Sequence, residues 1–365
     1  MRIAQAELRE IVLPLVEPFI ISGGTIPHRR SLILVLRDED GVRGYGECPP
    51  FELPFYSEET LFSARDLLER VLFPRVLNRV FTGPEELDHA LRPGIRGNPF
   101  ARAALETAAW DLEAARKRVG LAALLGEHLG EKPANRVACG VALGIPQDRS
   151  LDTLLGWVSA AVEKGYRRVK IKIAPGWDRE PVREVTRLLA GTGLPLTVDA
   201  NGAYEWPEHE RELRAIDDFG LLYIEQPLPP DELVGHAKLD RALHTPICVD
   251  ETLRDARAAR QIMELGGPKI WNIKVHRVGG LSEVCRIYRV AREFGATLWA
   301  GTMPESGIGS QAAIAAASLP LFTYPSDLEP SERWFGAGKD TIELTMDREG
   351  FMDVPQQSIG LSVRE

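Results

Sequence analysis

The chain has 365 residues, enough for one large domain and a smaller one. Hydrophobic residues make up 44% and charged residues 27%, a globular balance that excludes disordered and collagen-like chains. Against 44 Lys and Arg stand 53 Asp and Glu, a formal net charge of −9, which argues against nonspecific nucleic-acid binding.

No apolar run approaches the ~18 residues of a membrane span, so no membrane partner is expected. Arg2, Glu7, Arg9 and Glu10 charge the N-terminal stretch, which therefore lacks the apolar core of a signal peptide. Cys48, Cys139, Cys248 and Cys285 form no CxxC pair and lie in apolar contexts. They read as reduced core thiols of a cytoplasmic protein. The seven histidines show no HExxH or HxH spacing, which argues against a histidine-based zinc site.

In chain order, residues 2–15 and 31–37 read as strands. The turn signal Asp38-Glu39-Asp40-Gly41 joins the second of them to a strand over 42–48. Between the first two strands, residues 17–30 hold Ser22-Gly23-Gly24-Thr25 and Pro27 and read as a flexible loop and a lid. A second loop, 49–56, is rich in Pro and aromatics, and a helix follows from 57 to about 72. Asn98-Pro99 opens a long alanine-rich helix, with Asn as N-cap and Pro in the first turn.

From about residue 128 the pattern alternates short apolar strands with amphipathic helices. The strands fall at 136–143, 168–173, 195–199, 221–225, 246–250, 270–275, 297–301 and 320–324. Such alternation predicts a parallel sheet with right-handed crossovers, and eight repeats fit a (β/α)8 barrel of the α/β class. The expected divisions are an α+β capping domain over 1–127, the barrel over 128–326 and a C-terminal segment, 327–365, that returns to the cap. Strand-like pieces are expected there at 341–346 and 357–363.

Catalytic groups of a parallel barrel sit at the C-terminal strand ends. The second predicted strand ends in Lys170-Ile171-Lys172, with both lysines on one face. The next four end in Asp199, Glu225, Asp250 and Lys274, in steps of about 25 residues, or one βα unit. Taken singly, each is an ordinary structural ion pair. Together, three carboxylates converge at one mouth between lysines and cannot all stay ionised without a cation. A hard divalent ion such as Mg2+ with oxygen ligands is the simplest resolution. It would polarise a substrate carboxylate, and a flanking lysine could then move the α-proton. A base lysine has to be neutral. Burial and a neighbouring cation lower a lysine's pKa; Lys170 beside Lys172 and Arg277 beyond Lys274 are such cations. Asn201 and Glu251 read as groups that orient ligands. The stretch 300–310 precedes an alanine-rich helix, and its free N–H groups suit an anionic group.

The order Lys-x-Lys, Asp, Glu, Asp, Lys resembles the enolase superfamily, in its muconate-lactonizing subgroup. The resemblance spans nearly the whole chain. The wording at 169–178, at Val198-Asp199-Ala200-Asn201, at Tyr223-Ile224-Glu225-Gln226-Pro227-Leu228 and at 302–309 is most similar to o-succinylbenzoate synthases and N-succinylamino acid racemases.

That resemblance implies Mg2+, with Mn2+ as a possible substitute, on Asp199, Glu225 and Asp250. It implies Lys172 as general base and Lys274 as its partner across a small carboxylate substrate. It also implies a homo-oligomer. The lid, with Phe19 and Ser22, would cover the substrate, and the loop ending in Tyr56 would form a second wall. Gly301, Thr302, Met303, Glu305, Ser306, Gly307 and Ile308 would meet the succinyl group. The synthase would dehydrate a cyclohexadiene carboxylate for menaquinone synthesis; the racemase would exchange the α-proton of an N-acylamino acid. Dipeptide epimerisation, muconate cycloisomerisation and non-catalytic carboxylate binding share the core residues. Ala142 and Ser310 depart from many racemases, which carry Ser and Arg there, as does the segment 325–331. Arg277 agrees with them.

Overall fold

The computed structural model describes residues 1–21 and 24–363. At the N-terminus, β1 (Ile3–Ile21), β2 (Gly24–Asp38) and β3 (Arg43–Cys48) form an antiparallel sheet in that order. Much of the expected loop at 17–30 is therefore strand. Phe19 pairs with Ile26 and Ile20 with Thr25, as β-branched residues favour. The register shifts between Pro14 and Phe19, a stretch whose two prolines lack ladder donors. Ser22 lies outside the described residues, and so does the side chain of Phe19.

Helices α1 (Leu61–Leu67), a π turn (Leu68–Leu72), α2 (Phe73–Val76), α3 (Pro84–Leu91), α4 (Pro99–Lys117) and α5 (Leu121–Leu129) complete the cap. The helix expected from 57 begins at Leu61, where Thr60 caps α1 in a reciprocal pair with Ser63. The long helix begins at Pro99 as its sequence predicts. Its cap, however, comes from elsewhere: Asn98 is left-handed and its side chain makes no cap bond. Glu59 instead accepts from the Phe100 and Ala101 amides at 2.8 Å each. The alanine face of α4 lets β3 come close; a Cβ on Gly46 would lie 3.0 Å from the Ala108 nitrogen and nearer still to the Ala104 carbonyl.

The predicted strand at 136–143 divides. β4 (Arg136–Ala138) leaves the barrel, and β5 (Gly140–Leu143) starts it. There follow α6 (Leu151–Glu163), β6 (Arg168–Lys172), α7 (Arg179–Leu189), β7 (Leu196–Asp199), α8 (Glu210–Asp217), β8 (Ile224–Glu225) and α9 (Leu233–Ala242). Next come β9 (Ile247–Val249), α10 (Ala256–Glu264), β10 (Ile270–Ile273), α11 (Val275–Val278), α12 (Leu281–Phe294), β11 (Thr297–Ala300) and α13 (Gly307–Ala317). Strands β5 to β11 form one parallel sheet in sequence order.

The expected eighth strand forms no ladder. Segment 320–326 closes the ring through single parallel bridges, Leu298 to Phe322 and Cys139 to Ser326. Pro320 and Pro325 have no N–H to donate, which shortens the run. The tail also differs from its pattern. It holds α14 (Ser331–Phe335) and β12 (Phe351–Asp353), which pairs with β4. No strand forms at 341–346, and 357–363 holds a 3-10 turn at Ile359–Leu361. That turn does reach the cap, where the Ile359 amide donates to Asp111 on α4 at 2.6 Å.

Separate apolar cores fill the barrel–helix layer and the cap. Two buried cap carboxylates join them. Glu106 of α4 accepts from the Leu281 and Ser282 amides at the start of α12, at 2.7 and 2.6 Å. Glu47 of β3 accepts from the Ser306 and Gly309 amides at the start of α13, at 3.1 and 2.9 Å. All four cysteines are buried and free. Among the described residues no helix is long and apolar enough to cross a membrane.

Candidate active site

The parallel register sets the predicted residues side by side. Lys172 stands opposite Asp199 on the neighbouring strand, and Asp199 opposite Glu225. Asp250 and Lys274 follow directly on β9 and β10. Asp199, Glu225 and Asp250 are almost wholly buried, so each needs a cationic or hydrogen-bonding partner.

Each carboxylate has one. The Lys172 ammonium donates to Asp199 at 2.6 Å and also to Asn201. The Lys170 ammonium donates to Glu225 at 2.7 Å, lies 2.6 Å from Asp327 and 3.5 Å from Asp199. The Lys274 ammonium donates to Asp250 at 2.8 Å and to the Tyr56 hydroxyl at 2.9 Å. Asn201 also links the groups: its amide N–H donates to Asp199 at 2.9 Å and its side chain to Glu251 at 3.1 Å. Arg277 donates to the carbonyls of Asp250, Leu253 and Asn272, and lies 3.1 Å from Asp250 Oδ1.

Lys170 is held as a cation, as expected, but by three carboxylates. Burial alone would lower its pKa, but Asp327, Glu225 and Asp199 outweigh burial and hold it well above the usual lysine range. Its charge is thus spent on three carboxylates beneath the mouth. Lys274 follows the same logic: Asp250, Tyr56 and Glu251 overcome burial, with Arg277 opposing them.

Among the described residues, no three Asp, Glu, His or Cys side chains gather as a finished metal cage. The carboxylates turn to their lysines, because opposite charges in a low-dielectric wall pair strongly. The donor set nevertheless fits a hard divalent cation. It is all oxygen, buried Glu251 Oε2 has no hydrogen-bond partner, and Asp250 Oδ1 has only the ion-pair contact with Arg277. Burial and the nearby Asp199 and Asp250 push the Glu225 carboxyl up to about 8, against the pull of Lys170. Burial and Asp250 likewise raise Glu251 to about 7. A cation would relieve both.

Three contributors escaped the sequence reading. Asn272 donates to Glu225 at 2.7 Å; it lies two residues before Lys274, hence on the same strand face, and that parity was the available signal. Asp327 holds both Arg168 and Lys170, but it follows a segment that forms no ladder. Arg168 lies inside the barrel beside Trp299, its guanidinium carbon 4.9 Å from the ring centroid.

The amides at the start of α13 are not free for an anion. The Ser306 and Gly309 amides go to Glu47, that of Gly307 to Asp340 and that of Ile308 to the Thr341 hydroxyl. The chain's own carboxylates fill the anion site expected at the start of α13. Met303 N–H and the Thr302 hydroxyl donate to Glu305 at 2.9 and 2.6 Å. His276, 3.0 Å away, pairs with the other Glu305 oxygen. Burial alone would raise Glu305, but His276, Thr302 and Met303 bring it down to about 2. Gly301 N–H donates to the Ile273 carbonyl at 3.0 Å. These residues build the wall beside β10 from within.

Comparison with known proteins agrees with this geometry. Residues 4–126 match the family described as "Mandelate racemase / muconate lactonizing enzyme, N-terminal domain", and residues 155–364 match "Enolase C-terminal domain-like". The o-succinylbenzoate synthase of Geobacillus stearothermophilus is 42% identical over 95% of this chain and 90% of its own. The N-succinylamino acid racemase of Thermus thermophilus is 42% identical over 100% of this chain and 95% of its own. The crystal structure of an enolase-superfamily member from Listeria innocua superposes with a TM-score of 0.91 at 35% identity, covering 99% of this chain and 94% of that one.

Proposed function

The chain belongs to the enolase superfamily, and from that premise we propose that it is an o-succinylbenzoate synthase. The carbon–oxygen lyase reaction would dehydrate a succinyl-hydroxycyclohexadiene carboxylate in menaquinone synthesis. The observation that carries the reading is the strand-end series: Lys172, Asp199, Glu225, Asp250 and Lys274 on consecutive parallel strands.

Asp199, Glu225 and Asp250 would hold Mg2+, with Mn2+ as a substitute, and the ion when bound supplies positive charge that makes the α-proton of a carboxylate substrate acidic. Lys172 takes that proton. Asp199 and Asn201 fix its ammonium group, so after accepting the proton it is in place to return it to the departing hydroxide. Lys274 stays cationic across the site, held by Asp250 and Tyr56, and stabilises the charge developing on the substrate. Lys170 and Asn272 position Glu225.

Racemisation of N-succinylamino acids is the second reading. Two lysines flank the carboxylates, and the Thermus racemase is 42% identical across this whole chain. A location in the cytoplasm and association into a homo-oligomer complete the proposal. Four buried free cysteines support the first. Exposed Val12, Val16 and Phe62 on the cap are compatible with the second, which size-exclusion chromatography checks.

Turnover of the synthase substrate and of N-succinylamino acids, with Mg2+ and with chelator, tests the assignment in native protein and Lys172→Ala. Dehydration that needs both Lys172 and the metal establishes the synthase. Exchange of succinylamino acids alone makes racemisation the function. Neither activity in Mg2+-loaded native protein refutes both.

A further inference from the structure

We propose that Tyr56 is a positioning residue for Lys274, and that through it the capping domain sets the reactivity of one face of the substrate alone. The inference rests on the racemase reading above, with each lysine addressing one face of the α-carbon.

The two lysines are held by different parts of the molecule. Lys172 is fixed by Asp199 and Asn201, both at the end of β7 in the barrel. Lys274 divides its ammonium between Asp250 of the barrel and the Tyr56 hydroxyl of the cap, at 2.8 and 2.9 Å. The same ammonium lies 5.0 Å from the centroid of the Tyr56 ring, within cation–π range. A lysine side chain is a flexible four-carbon stem, so two acceptors at fixed points decide where its nitrogen rests.

Tyr56 is itself braced. Phe51 meets its ring edge-on at 6.0 Å and stacks on Phe55 at 4.9 Å. The Arg29 guanidinium lies over Phe51 at 4.6 Å, donates to the Pro49 carbonyl, and reaches the Pro304 carbonyl at 3.1 Å. Cap strand, aromatic loop and barrel loop thus form one connected brace that ends on the Lys274 nitrogen. Among the described residues, the hydrogen-bond partners of the Lys172 ammonium are Asp199 and Asn201, both of the barrel. A change confined to the Tyr56 oxygen therefore acts on one lysine and on the α-proton that faces it.

Tyr56→Phe keeps the ring and removes that oxygen. The assay is α-deuterium exchange of each enantiomer of an N-succinylamino acid in D2O, followed by NMR with Mg2+-loaded protein. Lys172→Ala and Lys274→Ala identify which enantiomer depends on which lysine. The expected result is a shift of about tenfold in the ratio of the two exchange rates, against the Lys274-dependent enantiomer, the loss of one hydrogen bond to a charged group. An unchanged ratio, whether both rates fall together or neither falls, overturns the proposal. A crystal structure of Tyr56→Phe gives a readout apart from activity: the Lys274 nitrogen moves from its place beside Asp250, and an unmoved nitrogen overturns the proposal. If native protein exchanges neither enantiomer, the racemase reading fails, the dehydration assay decides on the synthase, and the crystal structure alone decides on Tyr56.

Discussion

Gly301→Ala tests whether the wall behind the metal ligands works by contact. Gly301 follows β11, against Asn272 of β10. A methyl group at Gly301 would lie 2.7 Å from Asn272 Nδ2 and 2.9 Å from its Cγ, and nearer still to Oδ1. Asn272 is fully buried, so it has no solvent to swing into and must turn or shift. Its Nδ2 is the atom that donates to Glu225 Oε1 at 2.7 Å. Losing a hydrogen bond to a buried charged group costs about 1.5–3 kcal/mol. If that bond orients Glu225 for the cation, Mg2+ affinity falls roughly 10- to 100-fold, the range seen when a ligand's supporting group is removed. Calorimetric titration of Mg2+ into native protein, Gly301→Ala, Asn272→Ala and the double variant reads the effect directly. The two single losses should match, and the double variant should lose no more than either, because both act through one bond. A Gly301→Ala protein that folds and binds Mg2+ like native refutes the reasoning, as does a double variant whose losses add.

Lys172→Ala should lower the dehydration rate about 10²- to 10⁴-fold with little change in Mg2+ affinity, measured by turnover beside calorimetry. Chelator should abolish turnover, and added Mg2+ should restore it while raising the melting temperature, since a ligand that binds only the folded state stabilises it. Burial raises the Glu59 carboxyl to about 7 from an ordinary 4.5, against the helix amides that favour its ionised form. Below about pH 4.5 it is protonated folded and unfolded alike; as pH rises towards 7 the unfolded chain ionises first, so stability present at low pH is lost across that window, by at most on the order of 3 kcal/mol. Glu59→Gln should flatten this part of the pH profile of chemical denaturation; an unchanged slope would remove Glu59 as its source. Glu106→Ala would orphan the Leu281 and Ser282 amides and leave the Trp110 indole N–H only the Ser282 hydroxyl, and should cost about 3 kcal/mol or more in urea titration.

The strand-end series was legible because a parallel barrel converts sequence spacing into spatial order. Lys172, Asp199, Glu225, Asp250 and Lys274 needed only strand parity and the C-terminal-end rule. What stayed hidden depended on contacts between distant segments. Nothing local to Ser306 or Gly309 says that Glu47, more than 250 residues earlier, already occupies their amides. Asn98 has the right side chain for a cap, yet Glu59 takes the position from another turn of chain. The arms of the β1–β2 hairpin read as loop because Pro and Gly signal turns locally, whereas pairing across the hairpin is decided by the partner strand. The eighth strand failed the other way: an apolar run between two prolines looks like a strand until its donors are counted.

The crossed caps bear on modularity. The cap and barrel look like separable pieces, and each has its own apolar core. Yet the starts of α12 and α13 borrow their carboxylates, Glu106 and Glu47, from the cap. Cutting the chain between the two would leave four barrel amides without these acceptors, and would leave Glu47 and Glu106 with only the cap donors Ser31 and Trp110. Neither piece is then a free-standing part, so recombining a cap from one homologue with a barrel from another would succeed only where both pairings are carried across together.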